Sequence, residues 1–111
     1  MNYDNRIFRG KVNSANGEVG ESTCFHYHQS GGRGWAEYHG GDIVSGHLQG
    51  KVLADGSLEF VYHHENTSGE LMAGKCKSVP GLSPEGKIVL KESWQWFTGD
   101  QTAGVSEVEE L

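Results

Sequence analysis

Between residues 87 and 100 the chain alternates with period two: Ile88, Leu90, Glu92, Trp94 and Trp96 fall on one side, and Val89, Lys91, Ser93, Gln95 and Phe97 on the other. Successive side chains of a strand point to opposite faces, so the first set shares one face, and it is the more apolar. Two indoles beside a carboxylate need a large enclosed space. The preceding chain supplies a series of hairpins to enclose it.

Residues 3–12 begin a first strand whose apolar members are Ile7, Phe8 and Val12. Asn13-Ser14-Ala15-Asn16-Gly17 follows as a turn, because Asn-Gly tolerates the positive φ of a tight hairpin. Residues 18–28 read as the second strand, with Val19, Glu21, Thr23, Phe25 and Tyr27 opposite Gly20, Ser22, Cys24, His26 and His28. After Gln29-Ser30-Gly31-Gly32, a short strand over 33–39 carries Trp35 and Tyr38. Their opposite parity demands either a bulge or rings on opposite faces. Gly40-Gly41 turns into a strand over 42–53, where Val44, Gly46, Leu48, Gly50 and Val52 alternate with Ile43, Ser45, His47, Gln49 and Lys51. Glycines inside a strand mark a bend or a close backbone approach. Asp55-Gly56 is a hairpin signal, and the strand over 57–64 lines up Leu58, Phe60, Tyr62 and His64. A turn over 65–69 leads into 70–78, whose small face holds Met72, Gly74 and Cys76. Residues 79–86, with both prolines, form the longest connection. The tryptophan-rich strand follows, then a Thr98-Gly99-Asp100 turn and a last segment over 101–110.

This pattern predicts about eight strands joined by short turns, with no helical period. Short connections imply antiparallel neighbours and hence a meander. Closing such a meander into an up-and-down barrel removes its exposed edges. The expected fold is therefore all-β, a single barrel domain over residues 1–111, with room inside for packed side chains or one small ligand. A flattened sandwich is the alternative; it needs a long crossover that only 79–86 could supply.

Composition sharpens this picture. In a chain of 111 residues only 35% are hydrophobic, yet three Trp, four Tyr and four Phe are present, so a few rings do much of the core filling. Seventeen glycines against two prolines suit many tight turns. The net charge is −6, and the nine basic residues are scattered, which excludes nucleic-acid binding through a basic face. The first residues lack the apolar core of a secretory signal, and no stretch approaches the roughly 20 apolar residues of a membrane span. A cytoplasmic protein without membrane contact is expected, with Cys24 and Cys76 as reduced thiols. Asn66-Thr67-Ser68 fits the N-glycosylation pattern, which has no consequence without a secretory route.

Three constellations bear on chemistry. Tyr62, His64, Glu92, Trp94 and Trp96, joined by Trp35 and Tyr38, combine rings with a few polar tips, as small-ligand pockets do; against this, the rings simply fill a barrel. Glu92 decides between the two, since a buried carboxylate is costly unless paired or hydrogen-bonded. His26 and His28 share a strand face at a spacing that can chelate a metal, with His39 or His47 as a third ligand; the bland alternative is a solvated outer face. The solvated outer face is the preferred reading, and no metal and no cofactor is expected. Cys24 shares the face of His26 and His28, but neither thiol has a partnering base or nucleophile signature. Residues 29–34 also fit the Q-x-x-G-x-G pattern of acetyltransferases, whose pyrophosphate sits at a helix N-terminus. Here Trp35-Ala36-Glu37-Tyr38 follows, a strand pattern that leads into Gly-Gly, so acetyl transfer is not expected.

Asn13 with Gly17-Glu18-Val19, Trp35-Ala36 with Tyr38 and Gly40-Gly41, and Gly46, Leu48 and Gly50 form a set completed by Gly74, Cys76, Trp94-Gln95-Trp96 and Gly99-Asp100. Over about residues 11–110 this set resembles a family of short bacterial proteins often labelled N-acetylglutamate synthase. The resemblance implies a small β protein and supplies no catalytic residues. The expected barrel is similar in plan to calycins such as lipocalins and avidins, a likeness of fold that does not fix function. The leading expectation is a non-enzymatic binder of an unknown small molecule inside or at the mouth of the barrel. The rival is a self-associating interaction module, a homo-oligomer whose rings are all core. An enzyme comes third.

Overall fold

The computed structural model describes residues 2–111. Eight strands, β1 (Ile7–Asn13), β2 (Cys24–Ser30), β3 (Arg33–Gly40), β4 (Ile43–Val52), β5 (Leu58–Asn66), β6 (Leu71–Leu82), β7 (Ile88–Trp96) and β8 (Ala103–Glu110), follow one another without a helix. Each pairs antiparallel with the next, and β8 returns to β1 to close the barrel. No crossover exists, so the sandwich alternative falls and the up-and-down barrel stands.

Alternation decides which side chains fill the interior. Ile88, Leu90, Trp94 and Trp96 on β7, Leu58, Phe60 and His64 on β5, and Phe25 and Tyr27 on β2 are all buried. On β3, Arg33, Trp35 and Glu37 face outward while Ala36 and Tyr38 face inward; the opposite parity of the two rings is resolved by opposite faces, not by a bulge between them. On β4 the register shifts between Ile43 and Ser45, so Ile43 is buried and Val44 is exposed, against simple alternation. A bulge moves one residue past the pleat and exchanges the faces beyond it.

The strand glycines have a specific task. Tyr38 lies opposite Gly46, Phe60 opposite Gly50, Tyr62 opposite Gly74 and Trp94 opposite Gly104. The rings of Tyr38, Tyr62 and Trp94 cover the bare backbone of their partners, where a Cβ would collide with them, and at Gly50 it would meet the Glu59 carbonyl and Phe60 Cα and Cβ.

Two expected boundaries are corrected. Residues 18–23 are not strand: β2 begins only at Cys24, and residues 14–23 form a loop. The shared alternation of 18–28 was misleading because Gly17, Gly20 and the polar run around them can serve a loop equally well. Residues 79–82, expected in the longest connection, extend β6 and pair with β7 as far as Leu82 opposite Ile88. Pro80 is tolerated there because β5 pairs no further than Ser78, which leaves the other edge of β6 without a strand to donate to. The connection shrinks to a tight turn with Gly86 at φ 81°.

The ends of the barrel are closed differently. At one end, Tyr3 is fully buried against Phe8 and Tyr27, and its hydroxyl donates to the Gly56 carbonyl in the β4–β5 turn. The first strand therefore begins at Ile7, after a reversal at Asn5 with φ 60°. At the other end lies the 14–23 loop.

Candidate functional site

The loop is tied across the barrel mouth by long-range hydrogen bonds. Trp96 Nε1–H donates to the Asn16 carbonyl at 3.2 Å, and Asn16 Nδ2 donates to Thr102 Oγ1 at 2.9 Å. Asn13 Nδ2 donates to the Val19 carbonyl at 3.0 Å. Glu18 thereby reaches inward. Its carboxylate accepts from His64 Nε2 at 2.7 Å and from Asn66 Nδ2 at 2.9 Å. Nδ1 of the same imidazole lies 2.8 Å from the Tyr38 hydroxyl. With Nε2–H donating to Glu18, Nδ1 accepts the phenolic hydrogen, and every polar atom of the chain Tyr38–His64–Glu18 is satisfied. Asn66 also accepts the Ser68 and Glu70 backbone N–H groups, at 3.1 and 2.9 Å, so the side chain of the glycosylation-like triplet is buried and fully used.

Beneath this network is a cavity of about 50 Å³ lined by Tyr38, Tyr62, His64, Glu92, Trp94 and Trp96 together with loop residues including Glu18. The aromatic walls are ordered edge to face: Trp96 meets Tyr62 and His64 with ring centroids 5.7 Å away in each case. Trp94 and Trp96 lie 5.5 Å apart, inclined at 59°. Such tilted contacts place ring edges against ring faces, as the quadrupoles prefer.

Glu92 sits among them as a half-buried carboxyl. Ser78 Oγ donates to one oxygen at 2.8 Å and Ser106 Oγ to the other at 3.1 Å. None of the four ion pairs among the described residues includes it. Burial pushes its pKa above the ordinary carboxylate value, and the two hydroxyls only partly oppose this. Glu92 lines the cavity. Asn13 also lines the cavity, and its buried Oδ1 has no partner among the described residues.

Six of the seven residues expected at a ligand site are thus gathered around one space. Trp35 is the exception and needs correcting: it lies on the outer face, stacked on His28 at 5.5 Å, with the Arg33 guanidinium 5.1 Å from its ring. Ser78 and Ser106 go unmarked in the sequence, and Asn13 and Glu18 stand out there only as part of the family resemblance, with no site role. The alternation of 70–78 and 101–110 would have placed the two serines inward, but nothing in the sequence brings Glu18 to His64, 46 residues away.

Chemically, the site can offer hydrogen bonds and ring faces. Burial raises the Tyr38 and Tyr62 phenols well above their ordinary range, so they remain donors and do not become nucleophiles. Cys76 is buried and its thiol is likewise pushed up, mainly by desolvation, the reverse of an activated thiolate. Both cysteines are unbridged. The Q-x-x-G-x-G stretch is the β2–β3 hairpin, with Gly31 at φ 59°, and continues as strand. The helix required for pyrophosphate binding does not follow it, and nothing supports the N-acetylglutamate synthase label.

On the outside, His26 and His28 are joined by Glu37, not by the expected His39 or His47; the three offer ligand atoms within 4.8 Å of one another.

The sequence model of one protein family, described as avidin-like protein, matches residues 1–111. No curated protein and no solved structure matches the chain.

Proposed function

The chain belongs to the avidin-like protein family, and from that premise we propose that it binds a small molecule in the barrel mouth without transforming it. The observation that carries this reading is Glu92: a half-buried carboxyl, held by two serine hydroxyls and by no cation, that lines a cavity walled by rings. A residue whose sole task was filling would be apolar here, since an unpaired buried acid destabilises the fold. Its two oxygens accept from Ser78 and Ser106 and can take a further hydrogen bond from a ligand.

Tyr38, Tyr62, His64, Glu92, Trp94 and Trp96 are the proposed contacts. The space of about 50 Å³ accommodates a few water molecules or a few heavy atoms of a ligand. A larger molecule therefore inserts one end here and rests its remainder at the mouth, where the 14–23 loop must yield.

The test is titration with a panel of small aromatic and acyl compounds, followed by tryptophan fluorescence. Trp35 is outside, so Trp35→Phe should keep the full ligand-induced change, while Trp94→Phe/Trp96→Phe should lose it. A broad panel that leaves the emission of the parent chain unchanged would reject the pocket.

A further inference from the structure

We propose that His26, His28 and Glu37 form a binding site for a divalent late first-row transition metal, zinc foremost, on the outer surface of β2 and β3. The site is separate from the cavity and does not depend on the ligand reading. His26 and His28 are two apart on β2, so both imidazoles project outward with ring centroids 4.4 Å apart. His26 lies directly opposite Glu37 in the β2–β3 register, and His28 Nε2 is 2.8 Å from Glu37 Oε1. Two nitrogens and a carboxylate oxygen thus converge from adjacent strands, leaving a fourth position for water.

Metal–ligand distances near 2.0–2.2 Å put tetrahedral ligand atoms roughly 3.3–3.5 Å apart. The present separations, all within 4.8 Å, reach that by small side-chain rotations, in which the 2.8 Å His28–Glu37 contact opens as the metal replaces its hydrogen bond and the longer ones close. The rigid backbone ladder beneath does not have to move.

Each imidazole already has an orienting partner. The His28 ring stacks on Trp35, inclined by 22°, and the Arg33 guanidinium lies 5.1 Å from the Trp35 ring centroid. His26 Nε2 lies 3.3 Å from Asn5 Oδ1, which leaves Nδ1 for a metal. Asn5 holds φ 60°, a conformation uncommon outside glycine, and is pinned there by its N–H donating to the Tyr27 carbonyl at 2.9 Å. Acceptors of this kind fix the ring orientation of metal-binding histidines. A nitrogen-rich donor set favours zinc, nickel or copper over magnesium and calcium, which prefer oxygen.

The test uses the untagged chain, stripped with chelator and titrated with zinc chloride by calorimetry, with magnesium chloride as the comparison. One zinc per chain is expected, with no magnesium response and a rise of several degrees in the unfolding temperature as zinc saturates. His26→Ala and His28→Ala should each weaken binding at least tenfold. His47→Ala should not, although His47 faces Glu37 from β4 and stacks on His63. All these positions are on the outer face, and circular dichroism checks that the variants fold. Cobalt added to the parent chain gives a second readout: visible bands of a four-coordinate site support the proposal. Absence of saturable zinc binding below about 1 mM, undiminished binding in the His26→Ala/His28→Ala double variant, loss in His47→Ala, or featureless cobalt spectra would each overturn it.

Discussion

At Glu92, burial opposes ionisation and two serine hydroxyls favour it; burial is the larger effect and the pKa rises. The folded chain therefore holds the proton more tightly than the unfolded chain does. That preference adds stability below the ordinary carboxyl range, and it is lost as pH rises through the elevated folded value. Glu92→Gln keeps the shape and removes the titration. Its unfolding temperature should fall less than that of the parent between pH 4 and pH 8, and at pH 8 it should be the higher of the two. Parallel curves from thermal unfolding at several pH values would show that Glu92 is not half-buried as described. The parity of Glu92 with Trp94 and Trp96 was legible in the sequence, because period two is a local property. Its two partners, Ser78 and Ser106, were not, because they arrive from different strands.

The strand glycines make the corresponding case for elements. Gly46 and Gly104 lie under the rings of Tyr38 and Trp94, so an added methyl group meets a ring that has the opposite wall behind it. Gly46→Ala and Gly104→Ala should each lower stability by about 1–3 kcal/mol, the usual cost of overpacking. Gly20, in the loop, has nothing within 4 Å of an added Cβ, and Gly20→Ala should stay within about 0.5 kcal/mol of the parent. Urea midpoints at a common m value measure the three; a Gly104→Ala variant as stable as Gly20→Ala would refute the ring-over-glycine packing. That glycines inside strands signal a close approach could be read directly. Which ring each one receives depends on register, and register is set across strands. The same distinction explains why residues 18–28 and 79–86 were divided wrongly: alternation and proline are local signals, whereas a strand exists only where a neighbour pairs with it.

The whole barrel closes by seams of unequal length. β4–β5 and β6–β7 each run through nine paired positions, whereas β1–β2 has only Ile7 with His26, Phe8 with Phe25 and Arg9 with Cys24. The 14–23 loop interrupts what would have been the rest of that seam. Few backbone pairs mean a low local opening free energy, so native-state hydrogen exchange should find β1–β2 amides exchanging well ahead of those in β4–β5 and β6–β7. Uniform protection around the barrel would contradict this. The short seam also borders the 14–23 loop, whose residues line the cavity.

Local chemistry alone determined that this chain is a meander of strands, that Leu90, Trp94 and Trp96 share a face, and that tight turns join most of the elements, the 14–23 loop between β1 and β2 excepted. Pleat parity and turn residues act over a few positions, so they can be read along a line. Tertiary structure alone decided that Glu18 meets His64, that Trp35 stands outside, and that Glu37 completes a trio with His26 and His28. Those contacts depend on how strands lie beside one another and where a loop folds back, distances that no local pattern encodes.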